Sequence, residues 1–174
     1  MTVVKLKKTQ GLNETETLVH LDNSHSRPLK VYGDIGGGSG DFDLKGLLER
    51  TITEAVIPED VTSIEINAFN GCASLTSVEM PNVTEIGSSA FYGCASLPSV
   101  EMPNVTEIGE FVFQDCTLLS QVVINNINPP VLGSDAFDNC HNDLKIYVPA
   151  SAVDTYKAAS GWSTYADKIE AIEE

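Results

Sequence analysis

Cys72, Cys94, Cys116 and Cys140 are the residues whose type and spacing first suggest chemistry, at separations of 22, 22 and 24. Four thiols admit disulfides or a metal site. Zinc ligands come in pairs about two to four residues apart, so these separations do not make one. Stacked units would bring the thiols within about 5 Å, near enough for disulfides but only with strain. The plainer expectation is a column of small, buried, free thiols, each closing a turn after a phenylalanine.

His20, His25 and His141 have no carboxylate or nucleophile at a telling distance in sequence, and no serine sits in a G-x-S-x-G elbow. The run GGGSG (36–40) lacks the lysine of a phosphate-binding loop. GGSGDFD (37–43) partly matches the calcium repeat G-G-x-G-x-D, but Phe42 interrupts it and there is a single copy. Asp34, Asp41 and Asp43 are the residues that could gather a calcium ion there; a solvated linker is the simpler reading. Trp162 could be a ligand platform, yet it stands where a core must be closed. The reading is therefore no catalytic residue, no cofactor and no metal.

These residues sit in a strongly patterned chain. Residues 79–100, EMPNVTEIGSSAFYGCASLPSV, and 101–122, EMPNVTEIGEFVFQDCTLLSQV, agree at 13 of 22 positions, with a run of nine. Weaker copies flank them. Phe69, Phe91, Phe113 and Phe137 form one column, the cysteines a second, and Ile64, Ile86, Ile108 and Leu132 a third. A period of 22 to 24 residues is too short to bury a core alone. Such units stack, so that each column becomes continuous. The alternating segments 52–57, 75–80, 97–102, 119–124 and 144–148 are the expected strands, parallel and one per unit. Val78 and Met80 point inward and Ser77 and Glu79 outward. A proline ends most of them (Pro58, Pro81, Pro103, Pro149), because it has no N–H for the ladder. The return path is expected to hold a short helical piece around AF-x-x-C.

The pattern C-x-x-L-x-x-V-x-M-P-N-V-T-x-I-G-x-x-A-F-x-x-C resembles the leucine-rich repeat of BspA-like bacterial surface proteins, the Treponema-type repeat, over about residues 52–148. The stretch YVPASAVDTYKAASGWSTYADKIEAI is similar to end segments of that family. Two units have 22 residues where the family usually has 23; PEDVTSI (58–64) keeps a residue that PNVTEI (81–86) lacks, which tightens a turn. The resemblance implies an α/β leucine-rich repeat solenoid with one parallel sheet, and adhesion to host extracellular proteins or other bacteria.

Four segments are expected. Residues 1–35 form a small β appendage, with Val3, Val4 and Leu6 in a first strand and a hairpin from 15–21 and 29–35. Residues 36–51 form a glycine-rich joint and an N-terminal cap helix from Asp43 to Arg50, with Leu44, Leu47 and Leu48 facing the first unit. Repeats fill 52–148. A helical cap fills 149–174, with Ser151 as N-cap, a helix over 152–159, a stop at Gly161, and Trp162, Tyr165 and Ile169 covering the last unit.

The 174 residues carry 10 Lys+Arg and 25 Asp+Glu, a net −15. Residues 1–50 are neutral, and no Lys or Arg occurs between Arg50 and Lys145. Such a surface repels nucleic acid and anionic membranes. No apolar run is long enough to span a bilayer, and MTVVKLKKTQ lacks the apolar stretch of a secretory signal; an extracellular or cell-surface location rests on the resemblance alone.

The outward strand positions form two rows, Val56, Glu79, Glu101, Val123, Tyr147 and Glu54, Ser77, Ser99, Gln121, Lys145. Glu79 and Glu101 are expected side by side, and Glu85 and Glu107 repeat this on the other side. Recent duplication of a unit would copy such charges without any use for them. Asn13, Asn82 and Asn104 begin glycosylation sequons, which have no meaning in a bacterial host. The function expected is non-catalytic protein binding, through Val56, Ser77, Glu79, Ser99, Glu101, Gln121, Val123 and Tyr147, to a protein partner bearing basic residues. The alternative is a structural part of an assembly, a phage or envelope particle, joined as a homo-oligomer through residues 1–35.

Overall fold

The computed structural model describes residues 2–8, 17–21 and 52–173. Its repeating element is a pair of strands per unit. The longer ones are β3 (Ile52–Val56), β5 (Ser77–Glu79), β7 (Ser99–Met102), β9 (Gln121–Ile124) and β11 (Lys145–Val148). They alternate exposed and buried, as the two-residue side-chain period requires. The shorter ones are β4 (Ser63–Ile64), β6 (Glu85–Ile86), β8 (Glu107–Ile108) and β10 (Val131–Leu132), each an outward residue followed by the isoleucine or leucine of the third column. Before β3 comes an N-terminal pair, β1 (Thr2–Lys8) and β2 (Thr17–Leu21); β12 (Ile169–Ala171) follows the last unit.

One parallel sheet was expected; among the described residues the structure has three sheets, two parallel and one mixed. The short strands pair in parallel in the order β10-β8-β6-β4. The long strands fall into two blocks, β12-β11-β9-β7 and β2-β1-β3-β5, with no ladder between β5 and β7. Within the second block β1 is antiparallel to both β2 and β3. The expected hairpin arm at 29–35, the joint at 36–40 and the cap helix at 43–50 lie outside the described residues.

The core lies between the two layers of strands. Val78, Met80, Val100, Met102, Val122, Ile124, Ile146 and Val148 enter from the long strands, and Ile64, Ile86 and Ile108 from the short ones. Phe69, Phe91, Phe113 and Phe137 stack with centroids 5.1, 5.4 and 5.5 Å apart and planes within 5°. Each fully buried ring contributes roughly 1.5–3 kcal/mol of transfer free energy.

The helical piece expected around AF-x-x-C is absent from the described units. Each unit instead carries two left-handed residues there: Asn67 and Gly71, Ser89 and Gly93, Phe111 and Asp115, Asp135 and Asn139. A right-handed helix cannot pass through such positions, so the chain turns in short steps, Ala90 N–H to the Gly87 carbonyl and Cys94 N–H to the Phe91 carbonyl among them. The extra residue of 58–64 is absorbed in a turn closed from Val61 N–H to the Pro58 carbonyl, and β4 still pairs in register with β6.

At the C-terminal end a 3-10 turn (Ala150–Ala152) leads into α1 (Val153–Ala158). Ser151 is not the N-cap: it lies inside that turn, which Ala152 N–H closes onto the Pro149 carbonyl at 2.8 Å. Gly161, at φ 80°, begins a second 3-10 segment, Trp162–Lys168. Trp162 and Tyr156 are fully buried, and Trp162 and Tyr165 both meet the last ring of the stack, Phe137.

Candidate interaction surface

Strand register decides which outward residues become neighbours. Val56 is opposite Glu79, Glu101 opposite Val123, Val123 opposite Tyr147, and Tyr147 opposite Glu170. In the second row Glu54 is opposite Ser77, Ser99 opposite Gln121, and Gln121 opposite Lys145. Ser77, Glu79, Ser99, Glu101 and Gln121 are exposed, Val123 and Tyr147 half-buried, and Val56 is 43% exposed. All eight positions singled out from the sequence thus occupy the outer face of the long strands. Glu85 and Glu107 are opposite each other in the short-strand sheet.

A cation is paired at the C-terminal end of this surface and, among the described residues, none at its middle. Lys145 Nζ donates to Glu170 Oε1, and this hydrogen bond holds the Lys145 ammonium above its ordinary range. At the other end β1 brings Lys7 into register with Glu54. Among the described residues, no cation forms an ion pair with Glu79 or Glu101.

That middle is also where the ladder stops. At two other steps the residue before the strand gives its N–H to the unit beneath, Thr76 to the Thr53 carbonyl at 2.8 Å and Ser120 to the Pro98 carbonyl at 3.0 Å; at β11 the first strand residue does so, Lys145 to the Ser120 carbonyl at 2.9 Å. At the corresponding place between β5 and β7 stands Pro98, which has no N–H. The Thr76 carbonyl lacks the partner its counterparts have. A groove of about 460 Å³ opens there, lined by Thr76, Ser77, Glu79, Ser99, Glu101 and Pro103 among others.

The remaining sequence candidates have structural duties. The four cysteines are free. Cys94, Cys116 and Cys140 donate Sγ–H to the carbonyls of Phe69, Phe91 and Phe113, one unit back, at 3.3, 3.1 and 3.2 Å. The hydrogen bond with Cys116 and burial push the Cys94 thiol far up; burial does the same to Cys140. Neither thiol has a path to a reactive thiolate. Trp162 is no platform for a ligand: its Nε1–H donates to the Pro130 carbonyl at 2.7 Å from a fully buried ring. His141 Nδ1 accepts from Asp143 N–H at 3.1 Å on the surface. His25, Asp34, Asp41 and Asp43 lie outside the described residues, as does the side chain of His20; among the described residues no three His, Cys, Asp or Glu gather as metal ligands. No helix of the described residues is long and apolar enough to cross a membrane.

The Asn-Val-Thr triplets are also structural. Asn82 Nδ2 donates to the Glu59 carbonyl at 2.7 Å and Asn104 Nδ2 to the Pro81 carbonyl at 2.6 Å. Thr84 Oγ1 donates to the Thr62 carbonyl at 3.1 Å, and Thr106 Oγ1 to the Thr84 carbonyl at 3.2 Å. Both side chains of each triplet are committed to the unit below.

Sequence reading missed Glu170 and Pro98. The alternation in KIEAI marks β12 and hence Glu170, and setting ASLTSV over ASLPSV marks Pro98 as the departure from the repeat.

A family model described as BspA type leucine rich repeat region matches residues 48–159, in 6 copies. A search of curated proteins finds no match.

Proposed function

Since the chain belongs to the BspA-type leucine-rich repeat family, we propose that it is a non-catalytic protein-binding module, a short solenoid that presents the outer face of its long strands to a protein partner. Leucine-rich repeats generally mediate protein–protein contact. The observation that carries the choice of surface is that register places Val56 beside Glu79 and Ser99, Glu101, Gln121, Val123 and Tyr147 along β7, β9 and β11, while Ser77, Glu79, Ser99 and Glu101 line one groove between the two blocks, with no ion pair to either glutamate among the described residues. That mix suits a partner with basic residues around an apolar anchor. Adhesion to a host extracellular protein is the role we favour.

The test is binding of the full chain to a panel of immobilised extracellular matrix proteins at low and high salt. Salt-sensitive capture that is lost on joint Glu79→Lys and Glu101→Lys reversal supports the reading. Capture that survives the reversal rejects this face.

A second reading is a structural component of an assembly joined through residues 1–35. It is favoured by β2, which ends its sheet with an outer edge unpaired among the described residues. Sedimentation of the full chain over a wide concentration range separates the two: a defined oligomer supports assembly, and a monomer throughout counts against it.

A further inference from the structure

Resting on the binding reading above, we infer that the break at Pro98 is the recognition point of this surface, and that it accepts a Lys or Arg side chain of the partner. Three independent features coincide there. Pro98 withholds the N–H that would occupy the Thr76 carbonyl, leaving a backbone acceptor unfilled on a residue that lines the groove. The ladder between β5 and β7 is interrupted, and a groove of about 460 Å³ occupies the gap. Glu79 and Glu101 flank that groove with no ion pair to either among the described residues, whereas Lys145 on the neighbouring row is paired with Glu170. A carbonyl and two carboxylates are acceptors only. A guanidinium or ammonium brings donors only, together with a charge opposite to that of the two glutamates lining the groove. A carboxylate or phosphate ligand would meet the like charge of Glu79 and Glu101.

The molecule contains its own control. Glu85 and Glu107 are also neighbours on adjacent parallel strands, but there the ladder is intact. If like-charged glutamates alone made a cation site, that pair would serve equally well.

The experiment is an amide-resolved NMR titration of the full chain with the tripeptide Gly-Arg-Gly, and with Gly-citrulline-Gly, which keeps the shape and loses the charge. The expected result is saturable shifts centred on Ser77, Glu79, Ser99 and Glu101, little response at Glu85 and Glu107, and none to citrulline. Pro98→Ser supplies the missing N–H and keeps both glutamates; it is expected to weaken arginine binding about tenfold, the loss typical of charge-assisted hydrogen bonds. Dispersed spectra of the variant establish that it is folded, and Glu79→Gln with Glu101→Gln gives a second route to the same loss with the backbone untouched. Equal shifts at both glutamate pairs, or undiminished binding by Pro98→Ser, overturn the inference. The tripeptide readout is independent of the natural partner: failure of matrix-protein capture with arginine binding intact defeats the adhesion reading and leaves this site standing.

Discussion

A Cβ placed on Gly109 would stand 2.6 Å from the backbone nitrogen of Ser88, one unit beneath. Gly87 and Gly133 meet the preceding unit in the same way, at 2.6 Å from Ile66 N and 2.4 Å from Glu110 N. The obstacle is backbone in all three, so it cannot swing aside. The corresponding residue of the first unit is Glu65, and no unit of this kind lies beneath it among the described residues.

Gly109→Ala is therefore expected to cost about 2 kcal/mol or more, the scale of overpacking against an unyielding neighbour. Glu65→Ala is expected to stay within about 0.5 kcal/mol. Urea denaturation of the two variants checks both; equal costs would refute the close-approach argument.

Phe91 lies between two parallel rings, Phe69 and Phe113, and is fully buried. Phe91→Ala is expected to lose about 3–5 kcal/mol, the usual cost of deleting a buried aromatic. The same experiment at Phe69, which has one ring neighbour in the stack, is expected to cost less. The ratio of the two midpoints tells whether stacking on both sides matters.

The break at Pro98 has a signature without any ligand. Ile57 N–H donates to the Glu79 carbonyl at 2.8 Å, but its counterpart Met80 has no such bond to β7. Hydrogen exchange is expected to be faster at Met80 than at Ile57, and Pro98→Ser is expected to slow exchange along β5 and β7. Thermal stability should change little, since a gained hydrogen bond of about 1 kcal/mol is offset by the freer unfolded chain that loses a proline.

Alkali is expected to act on the cap. Burial, the largest cause, pushes the Tyr165 phenol up to about 12 from an ordinary value near 10. The folded chain holds that proton where the unfolded chain has released it. The associated stability is complete below pH about 10 and is lost as pH rises toward about 12. Tyr156 is raised by burial too, so the loss continues upward. Thermal midpoints followed across this window should fall, and Tyr165→Phe should flatten the slope at the expense of the bonds to Asp138 and Phe137. A midpoint independent of pH there would exclude a buried phenol.

Much of this was legible because a repeated residue announces its environment. Phe, Cys and Ile recur in columns since each touches its own kind one unit away, and alternation placed Glu79 and Glu101 on the outer face. What escaped were features that occur once or depend on dihedral angles. Ala-Phe pairs read as helix formers, yet Ser89, Phe111 and Asp115 adopt positive φ, which no composition rule reveals at a serine or a phenylalanine. The short-strand layer escaped because two-residue strands carry no periodicity. Pro98 was visible only as one letter differing between copies, and its meaning required knowing that the N–H at that place spans two units.

The side-chain bonds of the repeats share a reach. Asn82, Thr84, Cys94, Asn104, Thr106 and Cys116 all bond to carbonyls 22 to 25 residues earlier. A chain held together this way has a translational degeneracy. Because EMPNVTEIG occurs twice, the segment beginning at Glu101 can dock where Glu79 belongs, making the same bonds and looping out one period. Such a slip costs the packing of a single unit, and within those nine residues no mismatch reports it. The same degeneracy makes length adjustable: excising 79–100 as a block joins identical sequence to identical sequence, and Asn104, Thr106 and Cys116 meet the Glu59, Thr62 and Phe69 carbonyls that Asn82, Thr84 and Cys94 used.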